Sequence, residues 1–357
     1  MNIAILTNAI APDKVGGSET QTRALAGELG KRNAVRVFVR RGAGRPDVER
    51  RENFIVVRLG RKTAFPLPPF QFSASVLREV KKDRQNIDAL LAKTVENGLV
   101  AACARKLWGI PAAVLIESEK EFKGKPRWNR LALKFVSWNT RLLVQTAGLQ
   151  RDLFRLTGVQ AAVTPNGVSL RPERASGEKV VYVGRLVRDK MNDKGVRFLI
   201  EAVRGSEMGT VIVGDGPERE ALRARAAGAP NISFVGGVPP ESVPDYLLQA
   251  FVLVVPSIYG EGLPNVVLEA FSVGLPVVAA ATGGIPDLIE HGRTGFLVPP
   301  GDPRELRRCI DLLWKDGSLR RRMSESCKRE AEKYSWEKAG QFFEEALKSA
   351  AGGSSRK

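Results

Sequence analysis

The chain has 357 residues, 43% apolar and 27% charged, which is too long for one ordinary core and apolar enough for two. No segment approaches the roughly 18–20 uncharged apolar residues that span a bilayer, the opening Met1-Asn2-Ile3-Ala4-Ile5-Leu6 enters a strand pattern without a basic leader, and Cys103, Cys309 and Cys327 are too dispersed for a metal knuckle or a disulfide framework. The net charge of +17 is uneven, +15 over residues 1–170 and +2 over 171–357, and an excess confined to one half speaks to partners such as anionic membrane, nucleic acid or acidic substrate.

Apolar alternation predicts a strand over Asn2–Thr7, a Gly-containing loop through Gly17 and a helix over Glu19–Lys31. Strands at Val35–Val39 and Phe54–Leu59 follow. The proline-rich 60–72 segment cannot continue a helix and reads as an exposed apolar loop, Phe65–Phe72, before a helix near 73–83. Strands at Asp88–Ala92, Ala112–Glu117 and Leu142–Val144, with helices between them, predict a mostly parallel, helix-covered sheet. Residues 1–170 form the first domain, which closes at Pro165-Asn166-Gly167-Val168, and Gly167–Lys179 is the hinge candidate. A second strand–helix series, over 171–335, has strands at Lys179–Val183, Thr210–Val213, Ile232–Val235, Phe251–Val255, Pro276–Ala279 and Gly295–Val298. Residues 336–350 are expected to form a helix packing back toward the first domain, and Ala351–Lys357 a frayed tail. The fold class is therefore α/β, two Rossmann-like domains facing across a cleft.

Ligands of open α/β sheets bind beyond the carboxyl ends of the strands. Glycine turns fall there in the second domain: Gly184-Arg185, Gly214-Asp215-Gly216 and Gly283-Gly284, the last before a predicted helix. Such turns let backbone N–H groups approach a phosphate. Neither GxGxxG after the first strand nor GxxxxGK[ST] is present, so a dinucleotide fingerprint or P-loop is not supported. Arg185, past a strand end, and Lys194, before Gly195, suit a diphosphate, with Lys190 a rival for the lysine. Glu261 and Glu269 bracket Gly262-Leu263-Pro264-Asn265-Val266. Asn265 is read as a helix cap or local donor, and Glu269 within an apolar run needs partners such as two ribose hydroxyls.

These motifs resemble the retaining glycosyltransferases of family 4, which have the GT-B architecture, over nearly the whole chain. The resemblance implies that Glu261, the first glutamate of an E-x7-E signature, faces the donor sugar, and that Glu269, the second, holds the ribose. It implies sugar and diphosphate contacts from Gly262, Leu263, Asn265 and Val266, diphosphate contacts from Arg185 and Lys194, and a nucleotide-pocket turn at Gly214. Gly16-Gly17-Ser18-Glu19 resembles the family's loop over the reacting centre, placing Gly16 and Gly17 near the donor phosphates. Where many members carry a histidine just after the strand corresponding to Ala112–Ile116, this chain reads Glu117-Ser118-Glu119-Lys120, and Ser118 or a carboxylate, Glu119 among them, is the candidate replacement. The only histidine, His291, lies far along in the second domain and reads as incidental.

The implied reaction is transfer of a hexose from a UDP- or GDP-sugar to a hydroxyl acceptor, catalysed by Arg185, Lys194 and Glu261, without a cofactor. No Asp-x-Asp or His/Cys/Asp cluster suggests a metal site, so metal independence is expected. Lys120, Lys123, Lys125, Arg127, Arg130, Lys134 and Arg141 interleave with Phe122, Trp128, Phe135 and Trp138. With the Phe65–Phe72 loop they suggest docking on an anionic membrane and a lipid-linked or envelope-glycan acceptor, hence a cytoplasmic protein, peripheral on the inner face of the cell membrane. The alternative is a basic membrane- or nucleic-acid-binding protein with a degenerate transferase site. It leaves the glycine turns and paired glutamates unexplained, and no nucleic-acid partner is expected.

Overall fold

The computed structural model describes residues 1–13, 16–42, 44–60, 69–122, 127–189, 192–259 and 261–352, with backbone alone at 69–71, 127, 128 and 352. The chain divides into two compact units, Met1–Gly167 with Trp336–Lys357, and Val168–Ser335.

The first unit runs β1 (Asn2–Leu6), α1 (Gly17–Gly30), β2 (Ala34–Arg40), β3 (Val48–Arg50), β4 (Ile55–Leu59), α2 (Pro69–Lys82), β5 (Ala89–Lys93), α3 (Val95–Trp108), β6 (Ala112–Ile116), α4 (Arg127–Asn139), β7 (Arg141–Val144), α5 (Ala147–Thr157) and β8 (Ala162–Val163). Its sheet has the order β3-β4-β2-β1-β5-β6-β7-β8. All pairs are parallel except β3 with β4, an antiparallel edge that the sequence pattern missed because Val48–Arg50 is short and half polar. Alternate residues of β1 feed opposite faces, Ala4 and Leu6 into one core and Ile3 and Ile5 into the other, as a doubly covered sheet requires.

The second unit runs β9 (Lys179–Val183), α6 (Val196–Val203), β10 (Thr210–Val213), α7 (Arg219–Arg225), β11 (Ile232–Gly236), α8 (Val243–Leu248), β12 (Ala250–Val255), α9 (Asn265–Ser272), β13 (Val277–Ala280), β14 (Gly295–Val298), α10 (Pro303–Lys315) and α11 (Gly317–Ala331). Its all-parallel sheet is ordered β11-β10-β9-β12-β13-β14. Leu253 and Val255 of β12 point into one core, and Val252 and Val254 into the other. Helix α12 (Trp336–Gly352) then returns to the first unit, where Phe343, Ala346 and Leu347 join the core against Ile3, Ile5 and Leu25. Gly167 is required at that junction, since a Cβ would lie 2.1 Å from the Trp336 ring.

Two expectations need correction. Phe72 belongs to α2, not to an exposed loop: it is fully buried, with the Arg40 guanidinium 5.1 Å above its ring. Residues 61–68, the rest of that loop, lie outside the described residues, as do Lys190, Lys123, Lys125 and the 353–357 tail. The Gly283-Gly284 turn leads into a single 3-10 turn, Ile285–Asp287, rather than a helix; the chain turns instead into the Glu290–Thr294 loop, where Thr294 Oγ1 accepts from Glu290 N.

Candidate functional site

In the second unit the chain leaves β9 toward β10 and β11, then returns to the other side of β9 with β12. Open α/β sheets bind ligands outside the carboxyl ends of their strands at such a β9/β12 switch point. Gly184-Arg185 follows β9, and Ser257 to Glu261 follows β12. Tyr182, buried on β9, donates its phenol to the Arg185 carbonyl at 3.1 Å. Burial pushes the Tyr182 phenol up, the Glu261 carboxylate pushes it further, and Arg185 pulls it back, so both charges surround one ring. The Arg185 side chain is exposed and makes no ion pair among the described residues.

Lys194 is placed by its neighbour. Asp193 is buried, accepts from Gly195 N at 2.9 Å and receives a two-pronged contact from Arg197 at 2.7 and 2.8 Å. Burial alone would raise the Asp193 carboxyl, but Arg197 and the Gly195 N–H outweigh it and hold it below the usual range. The Asp193 carbonyl accepts from Ile258 N at 2.8 Å, docking the Lys194 loop on the loop after β12. Lys194 Nζ then donates to Glu261 Oε1 at 2.6 Å, and Ser257 Oγ donates to the same oxygen at 2.6 Å. Two residues that the motifs assigned to different parts of a donor are thus paired with each other.

The glycine turns work differently from the expectation. The N–H groups of Gly184, Gly214, Gly216 and Gly284 are all engaged within the protein, by Val213 O, Gly236 O, Asp215 Oδ1 and Gly262 O. What these glycines permit is contact of loop on loop. A Cβ on Gly214 (φ +145°) would lie 1.8 Å from Gly184 O, and one on Gly283 (φ +57°) 2.2 Å from Glu261 O. Turn N–H groups without a partner among the described residues include those of Arg185, Asp215, Gly262 and Gly283. Leu263 is core, and Val266 packs against it, so their backbones rather than their side chains remain for a ligand.

Glu269 sits in the second turn of α9, whose N-cap is Pro264 and not Asn265. Its carboxylate has no hydrogen-bond partner among the described residues. Burial lifts its pKa to about 7, against a weaker opposing pull from Arg171. The structure thus groups Arg185, Lys194, Glu261 and the glycine turns, and gives Glu269 separate neighbours. His291 closes its own loop, Nδ1 accepting from Leu297 N at 3.1 Å.

The first unit has a corresponding switch point, β1/β5. It carries a polar cluster in which Ser18 and Glu117 belong to segments that the sequence singled out, while Thr22, Lys93, Glu121 and Gln145 do not. Lys93, the last residue of β5 and buried, donates to Thr22 Oγ1 at 2.7 Å and pairs with Glu117 Oε1 at 2.9 Å. Ser18 Oγ donates to Glu117 Oε2 at 2.5 Å, and Gln145 Nε2 to Glu117 Oε1 at 3.2 Å. Glu121 accepts from Val95 N and Glu117 N; burial, with the Glu117 charge adding, brings its pKa to about 7 despite those bonds. Thr94 beside Lys93 holds a strained φ of +83°. Ser118 caps the short turn that follows by accepting from Lys120 N. One signal was available: Lys93 ends the otherwise apolar run Ala89-Leu90-Leu91-Ala92.

Residues 15–171 match the model described as Glycosyltransferase Family 4, and residues 177–316 that described as Glycosyl transferases group 1. The chain belongs to glycosyltransferase family 4. Among curated members, the sulfoquinovosyl transferase of Arabidopsis thaliana is 36% identical over 165 residues, which are 45% of this chain and 31% of that one. The chain spans less than half the length of the first curated relatives it matches. Sucrose-phosphate synthase from Thermosynechococcus elongatus superposes with a TM-score of 0.84 at 21% identity, covering 99% of this chain and all of the other. An Anabaena protein, HepE, solved with UDP-glucose, gives 0.77 at 21% identity, covering 98% and 100%. At these identities the two likenesses show the GT-B fold.

Proposed function

We propose that this family 4 member transfers a sugar from a UDP- or GDP-sugar to a hydroxyl acceptor with retention of anomeric configuration. The observation that carries the reading is the β9/β12 cluster, where, among the described residues, Arg185 makes no ion pair, Lys194 is held beside Glu261, and the turn N–H groups of Arg185, Gly262 and Gly283 are open. Arg185, Lys194 and the N–H groups of Arg185, Gly262 and Gly283 would bind the diphosphate, with the Gly214 turn framing it. They would stabilise the charge that grows as it leaves, and binding that strengthens in the transition state is what raises turnover. A diphosphate entering here competes for Lys194, which frees Glu261 for donor-sugar hydroxyls. Glu269 would accept from the two ribose hydroxyls, supplying the partners its buried carboxylate lacks. Asn265 and the backbones of Leu263 and Val266 complete the donor contacts in this reading, and Gly16 and Gly17 add the first unit's contribution to the phosphates. A leaving-phosphate oxygen takes the acceptor's proton on the face of attack, and no protein nucleophile is invoked. Among the described residues no group of three His, Cys, Asp or Glu is placed to hold a metal ion.

The finer acceptor reading is a lipid-linked or envelope-glycan hydroxyl reached by docking on an anionic membrane. Phe122 is buried and Phe135 packs against the core, so they leave the surface to Leu131 and Trp138, each 69% exposed. Seven residues apart, these two lie on one face of α4, among exposed Arg130, Lys134 and Arg141. No helix among the described residues is long and apolar enough to cross a membrane. Product formation from UDP- and GDP-sugars with lipid and soluble acceptors tests the whole reading. Arg185→Ala should lower turnover about 10²-fold with folding intact, and unchanged turnover rejects the assignment. Sedimentation with phosphatidylglycerol vesicles, lost in Trp138→Ser and in high salt, tests the docking.

A further inference from the structure

Arg197 stands in the first turn of α6, where a cation opposes the helix dipole and where the helix has no acidic residue of its own to offset it. The contact that accounts for it is a fork to Asp193, Nη1 to Oδ1 at 2.7 Å and Nη2 to Oδ2 at 2.8 Å. The Asp193 side chain is 6% exposed and that of Arg197 21%, and the guanidinium is backed by the Phe198 ring at 4.3 Å. Arg188 adds a looser contact to the same carboxylate at 3.9 Å. The cavity beside the fork, lined by Val187, Arg188, Asp193, Arg197, Glu218 and Leu222, has a volume of about 10 Å³, room for one water and for no larger ligand. The fork therefore serves the chain's own geometry.

That geometry is the backbone on both sides of Lys194. Besides the fork, Asp193 accepts from Gly195 N through Oδ1 at 2.9 Å and from Ile258 N through its carbonyl at 2.8 Å. Gly195, at φ +64°, lies so close to the Pro256 carbonyl that no Cβ would fit. Lys194 N donates to Val187 O at 3.2 Å. From this fixed backbone the Lys194 ammonium reaches Glu261 at 2.6 Å.

We infer that Arg197 is a positioning residue, whose two-pronged grip on Asp193 fixes the backbone from which Lys194 meets the donor diphosphate and so sets turnover. The inference rests on the transferase reading, in which Lys194 stabilises the leaving diphosphate, and every residue of the relay belongs to the second unit. Position and charge make opposite predictions here. The Asp193 carboxylate, one residue from Lys194, weakens the pull of the neighbouring cations on an anion. If charge decided, removing it would tighten the hold on a diphosphate. If position decides, removing it loosens the fork and displaces Lys194, and about 1 Å of displacement costs up to about 10²-fold in rate.

The test uses two mild substitutions, each made in the wild type and in Lys194→Met, with UDP- and GDP-sugars as donors. Asp193→Asn keeps the size and the oxygen that accepts from Gly195 N, and Arg197→Lys keeps the charge but not the fork. Each is expected to lower kcat about 10-fold, with the donor bound no more tightly than by the wild type. In the Lys194→Met background neither should lower kcat further, because the relay has lost its end point, whereas a general loss of structure would add to it. Tighter donor binding with kcat unchanged in Asp193→Asn, full turnover in Arg197→Lys, or a further loss in the Lys194→Met background would overturn the inference. So would a Lys194→Met variant as fast as the wild type. If the wild type turns over no donor, the functional reading fails, and the relay is judged on amide exchange at Gly195 and Ile258. Faster exchange there in both Asp193→Asn and Arg197→Lys supports it, and unchanged protection overturns it.

Discussion

At the switch point of the second unit, loops lie backbone against backbone, Gly195 on Pro256, Gly214 on Gly184, and Gly283 on Glu261. At the switch point of the first unit, loops are tied by buried charge, Arg58 to Asp13 and Lys93 to Glu117. The same task, fixing several strand-end loops relative to one another, is met in the second unit by omitting side chains alongside the Arg197–Asp193 and Lys194–Glu261 pairs, and in the first by burying charged side chains. The first solution leaves cations such as Arg185 free for a ligand. The second consumes its cations internally.

The sharpest way to break this comparison is to put a side chain where one is excluded. Gly195 has φ +64°, and a Cβ there would sit 1.9 Å from Pro256 O. Gly195→Ala should cost about 3–5 kcal/mol, combining left-handed strain with overpacking against backbone that cannot move aside. Urea unfolding measures it, and a loss under about 1 kcal/mol would mean that the close approach is not needed. In the first unit, Lys93→Met alone leaves half-buried Glu117 without its cation and should cost about 2–3 kcal/mol. Adding Glu117→Met should recover most of that loss. A second substitution that fails to rescue would show the pair is not the tie.

A smaller effect distinguishes the units by pH. Glu121 and Glu269 are each raised from 4.5 to about 7, chiefly by burial. Between those values the folded state binds more protons than the unfolded one, so stability falls as pH rises from about 4.5 through 7. Each carboxyl contributes a loss of about 2 kcal/mol by pH 8, less than the full shift implies for a group partly open to water. Glu269→Gln should match the wild type at pH 4 and exceed its stability at pH 8 when the second unit's unfolding is followed. Glu121→Gln should do the same for the first unit. Parallel pH profiles for variant and wild type would contradict the assignment of burial as the cause.

The same contrast decides how much was readable in advance. Strand positions, the parallel sheets and the glycine turns leave periodic or local signatures, so Lys179–Val183, Thr210–Val213 and Gly295–Val298 coincide with strands of the structure. The Arg185, Lys194 and Glu261 grouping could be sought because each lies at a strand end or in a compact motif. The first unit's cluster could be sought only in part: the segments holding Ser18 and Glu117 stood out, but their meeting with Thr22, Lys93, Glu121 and Gln145, over more than a hundred positions, comes only through the sheet. Nor could sequence show that the glycine N–H groups are spent on neighbouring loops, because that depends on which loops abut. Phe72 was misplaced because proline composition announces a break in a helix but not the residue at which the next one starts.

The central claim is that the second unit's strand-end crevice grips a nucleoside diphosphate sugar, with Glu269 on the ribose. Calorimetric titration of UDP- and GDP-sugars into the wild type and Glu269→Gln, at pH 6 and pH 8, tests it most directly. The wild type should bind one of the two donors, more tightly at pH 8, where the carboxylate is ionised. The variant should bind at least about 10-fold more weakly at pH 8 and lose the pH dependence. Equal affinity in both proteins at both pH values would contradict the account.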